Sequence, residues 1–154
     1  MKQSTPYPAP SFTLLDSEGA TRSLKDYAGQ WLILYFYPKD DTPGCTIEAC
    51  SFRDMHESLL AQEAAVVGVS QDDSASHVTF RQKYDLSFTL LSDPERKTIE
   101  AYGAWGKKMF GHEGILRKTF IIDPNGQVVK AYGRVTPLGH AEKVLADLKQ
   151  LQAR

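Results

Sequence analysis

Cys45 and Cys50 are the only two cysteines of the chain, and they lie in one stretch, YPKDDTPGCTIEACSF, at residues 37–52. Three kinds of chemistry suit so close a pair: a structural disulfide, half of a metal site, or a reactive thiol with a partner. The residues around them add polar and rigid groups at short range. Thr42 places a hydroxyl about one helical turn before Cys45; it suits a helix N-cap, with Pro43 at the first helical position, and equally a catalytic role. Pro38 either closes a strand, because it cannot donate to a ladder, or shapes a pocket. Asp40 and Asp41 oppose a thiolate, since nearby carboxylates disfavour a second anion.

The spacing bears on the disulfide directly. In one regular helix, residues five apart have Cα atoms roughly 8–9 Å apart, from a 1.5 Å rise and 3.6 residues per turn. A disulfide needs less than about 7 Å. A Cys45–Cys50 bond therefore requires the first turns of such a helix to unwind, which argues against a permanent staple. It suggests two states, a dithiol with a folded helix and a disulfide with a locally melted one.

The elements that would hold these residues read as α/β. FTLL (12–15) and TRSL (21–24) flank the turn signal DSEG and predict an N-terminal hairpin. WLILYFY (31–37) is a continuous β-prone run, as in a strand covered on both faces. A helix is expected from about Thr42 to Leu60, with Phe52, Met55 and Leu59 at helical spacing. AAVVGVS (64–70) predicts a second buried strand, and Ser74 caps a helix running to about Tyr84. SDPERKTIEAYG (92–103) predicts a further helix. RKTFIID and QVVKAYG surround the turn DPNG and predict a second hairpin. The last helix puts Ala141, Val144, Leu145, Leu148 and Leu151 on one stripe.

A βαβ unit, a late hairpin and a closing helix are the skeleton of a thioredoxin-like fold: a central mixed sheet flanked by helices. In such a sheet the first hairpin strand runs antiparallel beside the strand before the site. That puts Arg117, always charged and rich in donors, next to Cys45. Lys118 points to the other face by alternation. Cys45, at a helix start, also faces backbone N–H groups and a dipole that favour a thiolate.

The 154 residues are expected to form one domain, 1–154, large enough for a real core. A net charge of −1 gives no electrostatic reason to bind nucleic acid or an anionic membrane. MKQSTPYPAP lacks the apolar core and cleavage site of a signal peptide, and WLILYFY is too short to cross a bilayer. A cytoplasmic protein is the expectation, and there a close cysteine pair points to catalysis, redox sensing or metal binding.

The segment FYPKDDTPGCTIEACSFRD resembles the active-site segment of peroxiredoxins, in the bacterioferritin comigratory protein (peroxiredoxin Q) group. VVGVSQDDSASHVTF, KYDLSFTLLSDP and RKTFIIDPNG extend the likeness over nearly the whole chain. Ser87 and Thr89 stand where the group usually has prolines. The resemblance implies a thiol peroxidase acting on hydrogen peroxide or alkyl hydroperoxides. Cys45 would be the peroxidatic cysteine, oxidised to a sulfenic acid, and Cys50 the resolving cysteine that forms an intramolecular disulfide with it. Thr42 would hydrogen-bond the peroxide, Pro38 would shield the pocket from water, and Arg117 would stabilise the thiolate and the transition state. A thioredoxin-type reductant would restore the dithiol. No metal or organic cofactor is implied, and a monomer is common in the group.

Two other readings fit less well. A disulfide reductase of the thioredoxin type would carry C-x-x-C and a proline before the late hairpin, whereas GHEGIL precedes Arg117. A closed zinc site needs four ligands, and His56, His77, His112 and His140 are scattered. Tyr37, Phe36, Phe52 and Trp105 are candidates to line the pocket, with core packing expected for Phe36 and Trp105. Glu48 and Arg53, on the first helix, read either as a solvated pair or as support for Cys45.

Overall fold

The computed structural model describes residues 4–154. Its strands and helices follow in the order β1 (Tyr7–Pro8), β2 (Thr13–Asp16), β3 (Thr21–Ser23), β4 (Trp31–Phe36), α1 (Pro43–Ala61), β5 (Ala64–Ser70) and α2 (Ser74–Tyr84). The second half adds β6 (Thr89–Ser92), α3 (Lys97–Ala101), β7 (Trp105–Lys107), β8 (Glu113–Ile115), β9 (Lys118–Ile122), β10 (Gln127–Tyr132) and α4 (His140–Gln152).

Eight strands form one sheet in the order β1-β10-β9-β4-β5-β6-β2-β3. β4, β5 and β6 are parallel to one another, while β9 runs antiparallel to β4. The sheet is therefore mixed, with β4 near its centre. All of β4 after Trp31 is buried, which explains why its sequence is apolar without alternation.

Its side chains nevertheless divide by face. Ile33, Tyr35 and Tyr37 join a core cluster with Phe52 and Leu59 of α1 and Val144 and Leu148 of α4. Leu32, Leu34 and Phe36 join a second cluster, with Ile99 of α3 and Phe120 of β9, on the opposite face. On α1 the buried Cys45, Ala49, Phe52 and Leu59 follow helical spacing, so the thiol is part of the stripe that docks the helix. Burying a side chain such as Phe52 contributes about 1.5–3 kcal/mol to that docking.

Most expected elements are present, and the differences have local causes. The N-terminal hairpin forms as β2 and β3. The cap of α2 is Asp73, whose carboxylate accepts the N–H of Ser76, rather than Ser74. Ser74 instead donates its hydroxyl to the carbonyl of Asp16. The expected helix over 92–103 is shortened to Lys97–Ala101. Ser92 pairs with Ser70 and Leu15 at the end of β6, and the Asp93 carboxylate reaches forward to the N–H of Ile99. Strand β6 itself and the small β7–β8 hairpin were not expected.

Candidate active site

The site forms where β4 ends and α1 begins. Cα register pairs Phe36 with Lys118, so Arg117, the preceding residue, arrives beside the first turn of α1. Its guanidinium forks between two residues of that helix. Nη2 donates to Cys45 Sγ at 3.3 Å, and Nη1 donates to Glu48 Oε1 at 2.7 Å. The expected neighbourhood of Arg117 and Cys45 is present. Glu48, which the sequence left open between a surface pair and support for the thiol, is completely buried and holds the guanidinium. Burial pushes its carboxyl up to about 7, although the positive charge of Arg117 acts the other way.

Gly44 explains how the guanidinium fits. A Cβ added there would lie 3.1 Å from Arg117 Nη2 and 3.7 Å from Pro137 Cγ. The bare backbone leaves room for the charge to lie along the helix start. A second cation stands nearby: burial, and then the charge of Arg117, hold the Lys108 amine below its ordinary range, while Cys45 acts in the opposite direction.

Cys45 is only 1% exposed, and both cysteines are free thiols in one helix. Thr42 occupies the N-cap position with extended backbone, and its carbonyl accepts the N–H of Thr46 at 2.8 Å. Its side chain makes no capping bond; the hydroxyl donates to the Lys39 carbonyl at 2.8 Å. The first-turn N–H groups are thus not taken up by the cap side chain. With its single proton on the Lys39 carbonyl, the Thr42 hydroxyl presents its lone pairs to further donors. Pro38 follows the buried Tyr37 and is half-buried.

The two acids whose charge opposes a thiolate are each engaged by other side chains. Asp40 Oδ1 accepts from the Tyr37 hydroxyl at 2.5 Å, and Oδ2 lies 2.7 Å from His77 Nδ1. Asp41 meets Lys83 Nζ at 2.7 Å and the Tyr84 hydroxyl at 2.6 Å, bonds that hold its carboxyl below the usual range.

Other candidates separate clearly. Tyr37 and Phe52 share the cluster that contains Cys45, and Phe36 lies on the other face of the sheet. Trp105 packs against that second cluster and carries Arg96 over its ring at 4.2 Å. Arg53 Nη1 donates to the Tyr84 carbonyl, so it ties α1 to α2. His112 is exposed at the β7–β8 turn. His56 bonds Ser87, and His140 bonds Thr119; burial, then Lys143 and Arg117, lower His140 to about 4. Among the described residues no helix is long and apolar enough to cross a membrane.

The AhpC/TSA family model matches residues 6–131. Peroxiredoxin Bcp of Bacillus subtilis is 45% identical over 95% of this chain and 95% of its own. Among solved structures, the Xanthomonas campestris bacterioferritin comigratory protein, described for its alkyl peroxide reduction activity, superposes with a TM-score of 0.87. It is 40% identical, and the match covers 91% of each chain. A cysteine-to-serine mutant of Xylella fastidiosa PrxQ gives 0.90 at 35% identity, covering 97% of this chain and 99% of that one.

Proposed function

The chain belongs to the AhpC/TSA family, among the Bcp and peroxiredoxin Q proteins, and from that premise we propose the roles of its residues. It is a thiol-dependent peroxidase. Cys45 attacks the terminal oxygen of hydrogen peroxide or an alkyl hydroperoxide as a thiolate. An S–O bond forms, the O–O bond breaks, and the departing alkoxide or hydroxide takes up a proton to leave as alcohol or water. The observation that carries this reading is the Arg117 fork, whose Nη2 lies 3.3 Å from Cys45 Sγ. A charged donor fixed beside the sulfur stabilises the thiolate and the charge growing on the leaving oxygen.

Thr42 accepts the hydrogen of the peroxide O–H and so orients the O–O bond for attack. Pro38 covers the pocket against water. The 1% exposure of Cys45 keeps the reacting sulfur in a drier setting, where the Arg117 charge acts more strongly. Neither metal nor organic cofactor takes part.

Cys50 resolves the sulfenic acid: its thiol condenses with Cys45, releasing water and leaving a disulfide. Both residues lie in α1, so the bond forms only after the first turns unwind and Glu48 leaves Arg117. A dithiol of the thioredoxin type then supplies two electrons through a mixed disulfide. One chain carries every residue of this cycle, which favours a monomer, and a reducing cytoplasm suits its recycling.

The test is peroxide consumption driven by thioredoxin, thioredoxin reductase and NADPH. Cys45→Ser should abolish even one turnover. Cys50→Ser should complete one turnover, hold a sulfenic acid that dimedone traps, and lose most recycling. Normal peroxide consumption by Cys45→Ser would overturn the reading.

A further inference from the structure

The loop that carries Pro38 and Thr42 is fastened by a buried polar network that the peroxide chemistry does not use. At its centre, His77 of α2 is 0% exposed and the Asp40 side chain 3%. Both Asp40 carboxylate oxygens are engaged: Oδ1 by the Tyr37 hydroxyl, Oδ2 by His77 Nδ1 at 2.7 Å and the Ser76 hydroxyl at 2.8 Å. The Asp40 backbone N–H donates to Asp72 Oδ2 at 2.8 Å. His77 Nε2 lies 3.0 Å from the Leu91 carbonyl, which only accepts, so Nε2 bears a proton. Nδ1 is then the ring nitrogen that faces Asp40 Oδ2, so both nitrogens of the buried ring are engaged.

The next residue shows what this fastening holds. Asp41 has φ of +56°, a left-handed conformation uncommon for a residue with a side chain. Such a conformation persists where its surroundings determine it. Here the surroundings are α2: Ser76 and His77 grip Asp40 at the start of the helix, Lys83 and Tyr84 grip Asp41 at its end. One residue further stands Thr42, with α1 and Cys45 beyond it.

We propose that His77 is a positioning residue for the peroxide reaction, acting through Asp40 to set the Pro38–Thr42 loop and the start of α1. The contact fixes where the Thr42 oxygen stands relative to Cys45 Sγ. The inference rests on Cys45 as the attacking thiol.

Two variants separate the two ring nitrogens. His77→Asn keeps an N–H donor near the Nδ1 position, toward Asp40. His77→Gln keeps one near Nε2, toward Leu91, and leaves Asp40 without it. Each is assayed in full-length protein for the rate of peroxide oxidation and for alkylation of Cys45 by iodoacetamide, which needs a thiolate but no oriented O–O bond.

His77→Gln should slow peroxide by about ten- to a hundredfold, the scale of a small misplacement at a reacting centre. Its alkylation rate should stay within about twofold of wild type, well short of that scale. His77→Asn should recover most of the peroxide rate. Should His77→Gln fold poorly, Ser76→Ala removes one hydroxyl from the same carboxylate oxygen and should show the same split, more weakly. Wild-type peroxide rates in both His77→Gln and Ser76→Ala overturn the inference, as does a parallel fall of peroxide and alkylation rates. With those outcomes, an inert Cys45→Ser protein leaves the role of Cys45 standing; a Cys45→Ser protein that still consumes peroxide overturns both.

Discussion

Glu48 brings a carboxylate into the bottom of the site with Oε1 on Arg117 and, among the described residues, no hydrogen-bond partner for Oε2. The charged form is poorly solvated there, and its folded-state value near 7 lies above the ordinary 4.5. The sign follows from the protons bound. Between about pH 4.5 and 7 the folded state holds a proton on Glu48 that the unfolded chain has released. The contribution of this group to stability is therefore full below 4.5 and lost as pH rises through 7. Glu48→Gln removes the titration and keeps an amide oxygen for Arg117. In urea denaturation its stability should gain on wild type as pH goes from about 4 to about 8, by of order 3 kcal/mol at most, since each tenfold difference in proton affinity between the folded and unfolded states is worth about 1.4 kcal/mol. A constant difference between the two proteins across that range would remove Glu48 as the group responsible.

At the scale of elements, the start of α1 is shaped for Arg117 and not for helix stability. Gly44 lies in the first turn, where alanine would be favoured by up to about 1 kcal/mol on intrinsic propensity. The methyl group would press on Arg117 Nη2 at 3.1 Å, the end of a flexible side chain that yields easily. Gly44→Ala should therefore leave the melting temperature equal or higher. Peroxide oxidation should slow about tenfold, the equivalent of about 1.4 kcal/mol lost from the transition state. Stopped-flow oxidation and a thermal melt on the same protein decide it; an unchanged rate means the guanidinium tolerates the methyl group.

The elements also show what the sequence makes legible. The run WLILYFY and the turn DPNG were enough to bring Arg117 to Cys45, because strand pairing carries that placement. Glu48 was not legible as the residue that grips Arg117, since its burial depends on how α1 docks against the sheet and α4. Strand β6 is not legible in the sequence because TLLS is short, and its pairing to Val67–Ser70 is a long-range contact. The His77–Asp40 pair was equally hidden: it joins residues 37 apart in the chain, and each alone looked like an ordinary polar residue.

Over the whole molecule, the sheet divides the interior into two clusters, and the thiol belongs to the one built on Tyr35, Phe52 and Phe88. Tyr35 is completely buried, stacks on Phe52 of α1 at 4.7 Å and meets Phe88 edge-on at 6.0 Å. It fits because β5 carries Gly68 opposite it: a Cβ there would lie 2.8 Å from Tyr35 Cζ, 2.9 Å from its oxygen and 2.9 Å from Leu90 Cδ2. Strand β5 is held between β4 and β6, so neither neighbour has open space to move into. Gly68→Ala would gain about 0.4–1 kcal/mol by restricting the unfolded chain. Overpacking at so tight a position costs about 1–3 kcal/mol, and with contacts on two strands the upper half of that range should prevail. The net loss lowers the melting temperature by about 2–10 °C, at 2–4 °C per kcal/mol for a chain of this size. Calorimetry reads this directly. A melting temperature equal to or above wild type would show that Tyr35 and Leu90 repack freely around β5, so that Gly68 is not what seats the ring beneath α1.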